Sequence, residues 1–342
     1  MPLYLYLLRR LVLTIPLIIG ISLVAFVIAN LVPSDPMAAN LGERAAADPE
    51  TVAAFRARWG LDEPLHVQYV TYLRNLLNGD MGTSIRTRRP VADDLARFLP
   101  ATVELATAGI VVALAAGVTF GVISAVWRNS ALDFFARILS LIGVSVPVFW
   151  LALVALLVFY LRLRVLPGPG RLDAILTAPP TVTGLYTIDS LLAGRWDLFG
   201  NALHHLILPA LVLGAYSAGL ITRITRSSML EVLSLDYMKT ARSKGLRERT
   251  VIMRHGFRNA LLPVVTVVGL SYGNLLAGAV LTETIFAWGG IGRYAYDAAR
   301  SLDFPAIMGV SMLVAIVFVV TNLIVDMLYF VLDPRIRTRE AR

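Results

Sequence analysis

The 342-residue chain contains no cysteine and only four histidines, and 16% of its residues are charged. Without cysteine, it can form neither a disulfide nor a thiolate metal site. The histidines never form a His-Glu-x-x-His pair, which excludes that zinc-protease motif. Soluble domains are about one quarter charged, whereas 57% of this chain is apolar and its mean hydropathy is +0.71. The composition therefore predicts an integral membrane protein.

The chain has only two lysines, Lys239 and Lys244, and their positions exclude another class of activity. A phosphate-binding loop ends in Gly-Lys-Ser/Thr because its lysine must reach the nucleotide phosphates. Neither lysine follows a glycine. The chain therefore cannot hydrolyse ATP through such a loop, we expect it to bind no nucleotide cofactor of its own, and any use of ATP must depend on another polypeptide.

Six stretches without acidic or basic side chains are long enough to cross a bilayer. A helix needs about 20 apolar residues to span roughly 30 Å of hydrocarbon, and it satisfies its backbone hydrogen bonds internally. The stretches are residues 11–33, 105–127, 138–161, 198–222, 259–282 and 304–325. The first is too long for a signal peptide and has no cleavage site before Pro33, so we interpret it as an uncleaved span. The predicted fold is all-α with six transmembrane helices.

These spans divide the chain into four parts. Residues 1–33 form the N-terminus and first span, 34–101 an extracytoplasmic helical insertion, 102–335 a five-helix core, and 336–342 a tail. Helical spacing within residues 51–59 and 66–77 predicts a small helical cap in the insertion. Between the third and fourth spans we expect a Pro-Gly turn at residues 166–170, no helix at Pro179-Pro180, and a short interfacial helix at residues 188–193.

The distribution of charge predicts the orientation. The loop 223–258, called the basic loop below, carries nine Lys/Arg against three acidic residues, whereas residues 162–202 carry four Arg against three Asp. The positive-inside rule places the basic loop and both termini in the cytoplasm. The insertion contains many arginines, but long loops translocate largely regardless of charge. We assign the net charge of +8 to the cytoplasmic loops, so no nucleic-acid partner is expected.

The basic loop contains a short predicted helix, which begins at Asp236 and is closed by Gly245. Four residues recur at i, i+3, i+4 and i+7 and so share one face: Tyr237, Thr240, Ala241 and Lys244. Small residues on that face would allow a partner to approach closely. A second helix is predicted over residues 247–257. The alternative is a loop that only fixes topology or contacts anionic lipid.

The sequence Tyr237-Met-Lys-Thr-Ala-Arg-Ser-Lys-Gly-Leu, followed by His255-Gly-Phe-Arg-Asn-Ala-Leu-Leu-Pro, closely resembles the EAA loop of ABC importer permeases. It is most similar to the B-type permease of the dipeptide/oligopeptide/nickel family. Further motifs match in order along nearly the whole chain, among them Leu31-Val-Pro-Ser-Asp-Pro, Gly60-Leu-Asp-Glu-Pro, Leu99-Pro-Ala-Thr-Val-Glu-Leu, Glu283-Thr-Ile-Phe and Asp333-Pro-Arg. The chain departs from the family pattern at Ser243, at Gly289 and at Leu302-Asp-Phe-Pro.

The resemblance implies a type I ABC importer permease in a bacterial or archaeal plasma membrane. Its partners would be a second permease of the same family, one or two ABC ATPase subunits that bind ATP and Mg²⁺, and an extracytoplasmic substrate-binding protein. The implied cargo is a dipeptide or oligopeptide, with glutathione or nickel chelates as alternatives. The implied ATPase-coupling residues are Tyr237, Thr240, Ala241, Lys244, Gly245 and Leu246.

Polar residues at or within the spans raise a second hypothesis. They are Glu104, Glu283, Asn322 and Asp326. Intramembrane acids are functional candidates by default, and a proton-coupled secondary transporter would need them. We favour a structural role, because no series of acids and histidines lines one helix face. A membrane-bound enzyme would need clustered His, Asp or Glu near one membrane face, and none is evident. Gly269, Gly273 and Gly278 predict tight helix packing.

Overall fold

The computed structural model describes residues 3–31, 48–50, 53 and 63–332, and this part of the chain is helical. An all-α fold is therefore confirmed. Two π-helical segments, Leu156–Arg162 and Val251–Phe257, adjoin the α-helices Val148–Ala155 and Arg258–Gly278. The α-helices are α1 (Leu3–Leu31), α2 (Leu65–Leu77), α3 (Val91–Val126), α4 (Ala131–Ser145), α5 (Val148–Ala155), α6 (Tyr186–Leu192), α7 (Trp196–Leu233), α8 (Asp236–Ser243), a short turn Glu248–Thr250, α9 (Arg258–Gly278), α10 (Val280–Ile285), α11 (Ile291–Arg300) and α12 (Phe304–Leu332).

Four described helices are long and apolar enough to cross a membrane, and a bent helix pair makes a fifth crossing if it is one span. The four are Val91–Val126, Trp196–Leu233, Glu248–Ala277 and Phe304–Leu328. The first predicted span lies in α1, whose described apolar stretch, Val12–Val27, is shorter. Five of the six predicted crossings thus have a matching helix or helix pair of spanning length. The remaining one, the first predicted span, stays a prediction.

The third predicted span is not one continuous helix, and that prediction was wrong. The segments Ala131–Ser145 and Val148–Arg162 are bent by 107° relative to each other. The break lies at Val146 and Pro147, whose ψ angles of 127° and 133° are extended. Proline lacks a backbone N–H and disfavours helical geometry in the residue before it, which explains the break.

Helices α3 and α7 pack closely at the centre of the molecule. A Cβ added to Gly117 of α3 would lie 2.6 Å from Cγ2 of Ile221 on α7, too close for two carbon atoms. A Cβ at Gly269 of α9 would overlap Val325 of α12, and Gly273 faces Thr321 of the same helix. The predicted tight packing is confirmed at Gly269. At Gly273 an added Cβ would make ordinary van der Waals contact, and the surroundings of Gly278 lie outside the described residues.

The insertion predicted at residues 34–101 is continuous with the core. Helix α2 confirms the helix predicted at residues 66–77, and most of residues 51–59 lie outside the described part of the chain. Helix α3 begins at Val91, so the boundary proposed at 101/102 falls inside it. Ser84 Oγ donates to Asp303 Oδ2 at 2.5 Å, which ties the insertion to the start of α12.

The connection between the third and fourth spans follows the sequence prediction. The Pro-Gly turn at 166–170 and the pair Pro179-Pro180 are not helical. The short helix that follows, α6, corresponds to the one predicted at residues 188–193.

Candidate functional site

Helix α7 carries the chain without a break into the basic loop. Its 38 residues end at Leu233, a short turn follows, and α8 begins at Asp236. Lys244 caps α8, and Gly245 then adopts a φ of +72°. The amide of Gly245 donates to the carbonyl oxygen of Arg242 at 2.9 Å. The glycine-terminated helix predicted from the sequence is confirmed, with the left-handed conformation that such a terminus requires.

Of the four residues predicted to share a partner-facing side of α8, one, Ala241, is instead buried against the chain. Met238 is fully buried and Ala241 is 8% exposed, and both pack in one cluster with residues from α7, the π segment and α9. Tyr237, Thr240 and Lys244 are exposed. Ala241 therefore contacts its own chain and is not available to a partner groove. Met238 and Ala241 lie three residues apart, and this apolar pair decides which side of α8 is buried.

A carboxylate at position 241 should therefore unfold the basic loop locally. We expect Ala241→Glu to raise the rate of tryptic cleavage within residues 223–258 on the order of ten-fold, because an unpaired charge would enter an apolar cluster. Thr240→Glu, one residue away on the exposed side, should leave the rate near that of the wild type. Cleavage is measured by mass spectrometry on the purified protein. Equal rates for the two variants would contradict the burial of Ala241.

The rest of the basic loop is held by polar contacts. Arg242 Nη2 lies 2.9 Å from Glu248 Oε1 and bridges the Gly245 turn, with side chains 41% and 56% exposed. Tyr237 contacts Asn259 and His255 from the other side of α8. Residues 247–257, predicted as an α-helix, form one helical turn and then the π segment. Leu246 is 40% exposed.

Glu104 lies in a second polar cluster, which includes the connection between the third and fourth spans. Its Oε2 accepts from Arg171 Nη2 at 2.6 Å, and its Oε1 accepts from the amide and hydroxyl of Thr187 at 2.8 and 2.7 Å. The Arg171 guanidinium lies 3.6 Å from the centre of the Tyr186 ring. Glu104 thus fastens the connection between the third and fourth spans onto α3.

Glu283 fixes the entry into α11. Its side chain is fully buried, its Oε1 accepts from Thr102 Oγ1 at 2.6 Å, and its Oε2 accepts from the amide of Arg293 at 3.0 Å. Thr102 Oγ1 also accepts from the amide of Ile291 at 2.8 Å. Amides in a first helical turn have no partner within the helix, so these two side chains cap α11. The contacts of Glu104 and Glu283 support a structural role.

The other two polar candidates lie on α12. Asp326 is 9% exposed and Asn322 is half-buried. Within the described residues, no group of three His, Asp or Glu side chains is placed to hold a metal ion. A role for any of the four candidates in the substrate path stays a prediction.

Several polar contacts join segments that are distant in the chain and were not predicted from the sequence. Asp133 is fully buried at the start of α4, where its Oδ1 lies 2.9 Å from Arg226 Nε on α7. His205 of α7 contacts Asp173 Oδ1 at 3.1 Å, and hydrogen bonds from His205 and Asn201 lower the pKa of Asp173. No local sequence signal indicates these pairs, because their partners are brought together only by the packing of the helices.

The fold and the basic loop define a class: a polytopic helical membrane protein with a short helix presented between two spans. Residues 117–338 match the model of the family described as binding-protein-dependent transport system inner membrane component, and residues 3–106 match the model of its N-terminal part. The chain belongs to this family and is a permease subunit of an ABC importer. The family prediction is confirmed, and membership decides against the proton-coupled secondary transporter.

Relatives cover nearly the whole chain. The probable D,D-dipeptide transport system permease of Escherichia coli K12 is 48% identical over 93% of both chains. The dipeptide transport system permease of the same organism is 43% identical over 98% of this chain and 99% of its own. The glutathione transport system permease of Salmonella paratyphi A is 38% identical over 97% and 98%.

A solved structure has the same core fold. An inward-facing structure of the MetNI methionine ABC transporter matches with a TM-score of 0.51 over 70% of this chain and 96% of the matched chain, at 14% identity. The match supports the type I permease architecture and, at that identity, carries no inference about substrate.

Proposed function

We propose that this chain forms part of a membrane path for short peptides in an importer driven by ATP hydrolysis on partner subunits. The observation that carries the proposal is identity of 43–48% over nearly full length to permeases named for dipeptide transport. Glutathione, the cargo named for a more distant relative, is also a short peptide. Nickel chelates remain the alternative within the family.

The proposed assembly contains a second permease of the same family, one or two ABC ATPase subunits and an extracytoplasmic substrate-binding protein. ATP and Mg²⁺ belong to the ATPase subunits. The exposed side of α8 and the turn after it would contact an ATPase, through Tyr237, Thr240, Lys244, Gly245 and Leu246. The basic loop and both termini would be cytoplasmic, and the insertion would face outward.

Reconstitution tests the transport function. The chain is purified with its second permease and ATPases, placed in liposomes, and supplied with its binding protein and a labelled dipeptide. We expect uptake that requires ATP and stops when the ATPase P-loop lysine is replaced. This polypeptide alone should neither bind ATP nor transport. ATP-dependent uptake by the single chain would refute the proposal that partner subunits hydrolyse the ATP. Uptake of a nickel chelate without any dipeptide uptake would show that the cargo is a nickel chelate.

The orientation can be tested with single cysteines, because the chain has none of its own. Arg88 is exposed in the insertion, and Lys239, whose side chain is 69% exposed, lies on α8. We expect a membrane-impermeant maleimide to label Arg88→Cys in intact cells or spheroplasts and Lys239→Cys only after lysis. The reverse pattern would invert the proposed topology.

A further inference from the structure

A closed set of hydrogen bonds joins α8 to the first turn of α9. Asn259 Nδ2 donates to the Tyr237 hydroxyl at 2.9 Å and to the carbonyl oxygen of His255 at 2.9 Å. The Tyr237 hydroxyl in turn donates to the same carbonyl oxygen at 3.4 Å, a longer and weaker contact. We call this group the Tyr237–Asn259 clasp. It connects two helices whose positions in the chain are separated by the Gly245 turn.

The clasp closes on the π segment Val251–Phe257, to which His255 belongs. π-Helical turns are rare and occur frequently at functional sites. The adjacent Gly256 faces the opposite, apolar side of the same contact, where an added Cβ would lie 3.3 Å from Met238 Cε. The π segment is therefore held against α8 by Met238 on its apolar side and by Tyr237 on its polar side.

Besides the apolar packing of Met238 and Ala241, the other links that follow α8 do not fix it to α9. The Arg242–Glu248 ion pair joins α8 to the short turn Glu248–Thr250 and does not reach α9. The Gly245 turn is only a covalent connection, and a Cβ added there would have no atom within 4 Å. Of the polar links between described residues, the clasp alone contacts both α8 and the first turn of α9.

We infer that the Tyr237–Asn259 clasp makes α8 and α9 move as one lever, so that force applied to α8 reaches the fifth span. Tyr237 and Asn259 are then positioning residues for energy coupling, and Tyr237 acts inward, through Asn259, as well as at the partner surface. The inference rests on the proposed function, because it presupposes an ATPase that acts on α8.

The test uses the complete reconstituted importer and measures both peptide uptake and ATP hydrolysis. Tyr237→Phe and Asn259→Ala should each lower the peptide transported per ATP roughly two- to ten-fold, the range that corresponds to one net hydrogen bond. The double variant should be no worse than the more affected single variant, because each change breaks the same clasp. Tyr296→Phe on α11, which also removes one exposed tyrosine hydroxyl, is the matched control and should behave as wild type.

A cross-linking arm distinguishes a lost lever from a misfolded loop. In Tyr237→Cys/Asn259→Cys, a short bifunctional thiol reagent should restore the transport ratio toward that of wild type, and reductive release should lower it again. Wild-type transport ratios in Tyr237→Phe and Asn259→Ala, or a cross-linked protein that stays uncoupled, would overturn the inference. Failure of the wild-type complex to show ATP-dependent uptake would instead overturn the proposed function, so the two failures are distinguishable.

Discussion

Gly245→Asp is expected to reduce ATP-dependent uptake more than ten-fold while the protein still inserts into the membrane. Gly245 has a φ of +72°, a region that costs most residues with a Cβ about 1–2 kcal/mol and that asparagine and aspartate occupy more readily. The position is open, since no atom lies within 4 Å of an added Cβ, so steric overlap inside the chain plays no part. The new carboxylate would stand on the surface proposed to meet the ATPase.

A series at this position separates conformation from charge. Asparagine and aspartate both tolerate a positive φ, so they differ mainly in the charge, whereas alanine adds the conformational cost without a charge. We expect Gly245→Asn to be mildest and Gly245→Asp to be the most severe in both ATPase pull-down and peptide uptake. Arg249→Ala, beyond the turn, should be mild. Full uptake by Gly245→Asp would mean that the basic loop only anchors topology.

Loss of Arg226 should produce the largest change in stability. Asp133 is fully buried and accepts from Arg226 Nε and Ser124 Oγ at 2.9 and 2.5 Å, and from the amide of Asn129 at 2.9 Å. Removal of one partner of a buried pair leaves an uncompensated charge, which costs about 3 kcal/mol or more. We expect Arg226→Ala to lower the midpoint of thermal unfolding, Tm, in detergent by several degrees. In a large domain, each 1 kcal/mol of lost unfolding free energy lowers Tm by about 2–4 °C.

A second arginine near the Asp133 carboxylate provides a matched control, and replacement of both members of the Asp133–Arg226 pair tests whether stability can be restored. Arg137 lies 3.4 Å from Asp133 but is 52% exposed, so Arg137→Ala should cost at most about 1 kcal/mol. Replacement of both members in Arg226→Leu/Asp133→Leu should recover part of the stability, because no charge remains buried. If the double variant had a lower unfolding midpoint than Arg226→Ala, the attraction within the pair, rather than the unpaired charge of Asp133, would determine stability.

The sequence predicted most of the membrane architecture, because each span must satisfy its own backbone and therefore leaves a local signal. The orientation prediction and the Gly245 terminus rest on equally local features, namely the arginine count of loops and the conformational freedom of one residue. The third span was the exception. Its apolar composition predicts one helix, whereas Pro147 divides it, and a proline inside a helix breaks it or is accommodated according to the surroundings.

The basic loop shows where sequence reasoning reaches its limit. Periodicity correctly predicted α8, but it could not tell which side of an eight-residue helix is buried, because that depends on what lies opposite. Val232 and Val251 lie in the cluster that buries Met238 and Ala241. Ala241 was assigned to a partner surface from its small size. It packs inward because this apolar cluster lies opposite it.

By itself, the amino-acid sequence determined the helical membrane class, the absence of a phosphate-binding loop and the family, since each depends on residues close together in the chain or on ordered motifs. Only the tertiary structure decided that Glu104 binds Arg171, that Asp133 is neutralised by Arg226 and that Tyr237 reaches Asn259. A hydrogen bond forms only when donor and acceptor lie about 3 Å apart, and these partners are separated in the chain by whole helices or turns. Packing brings them to that distance, and no local pattern in the sequence records it.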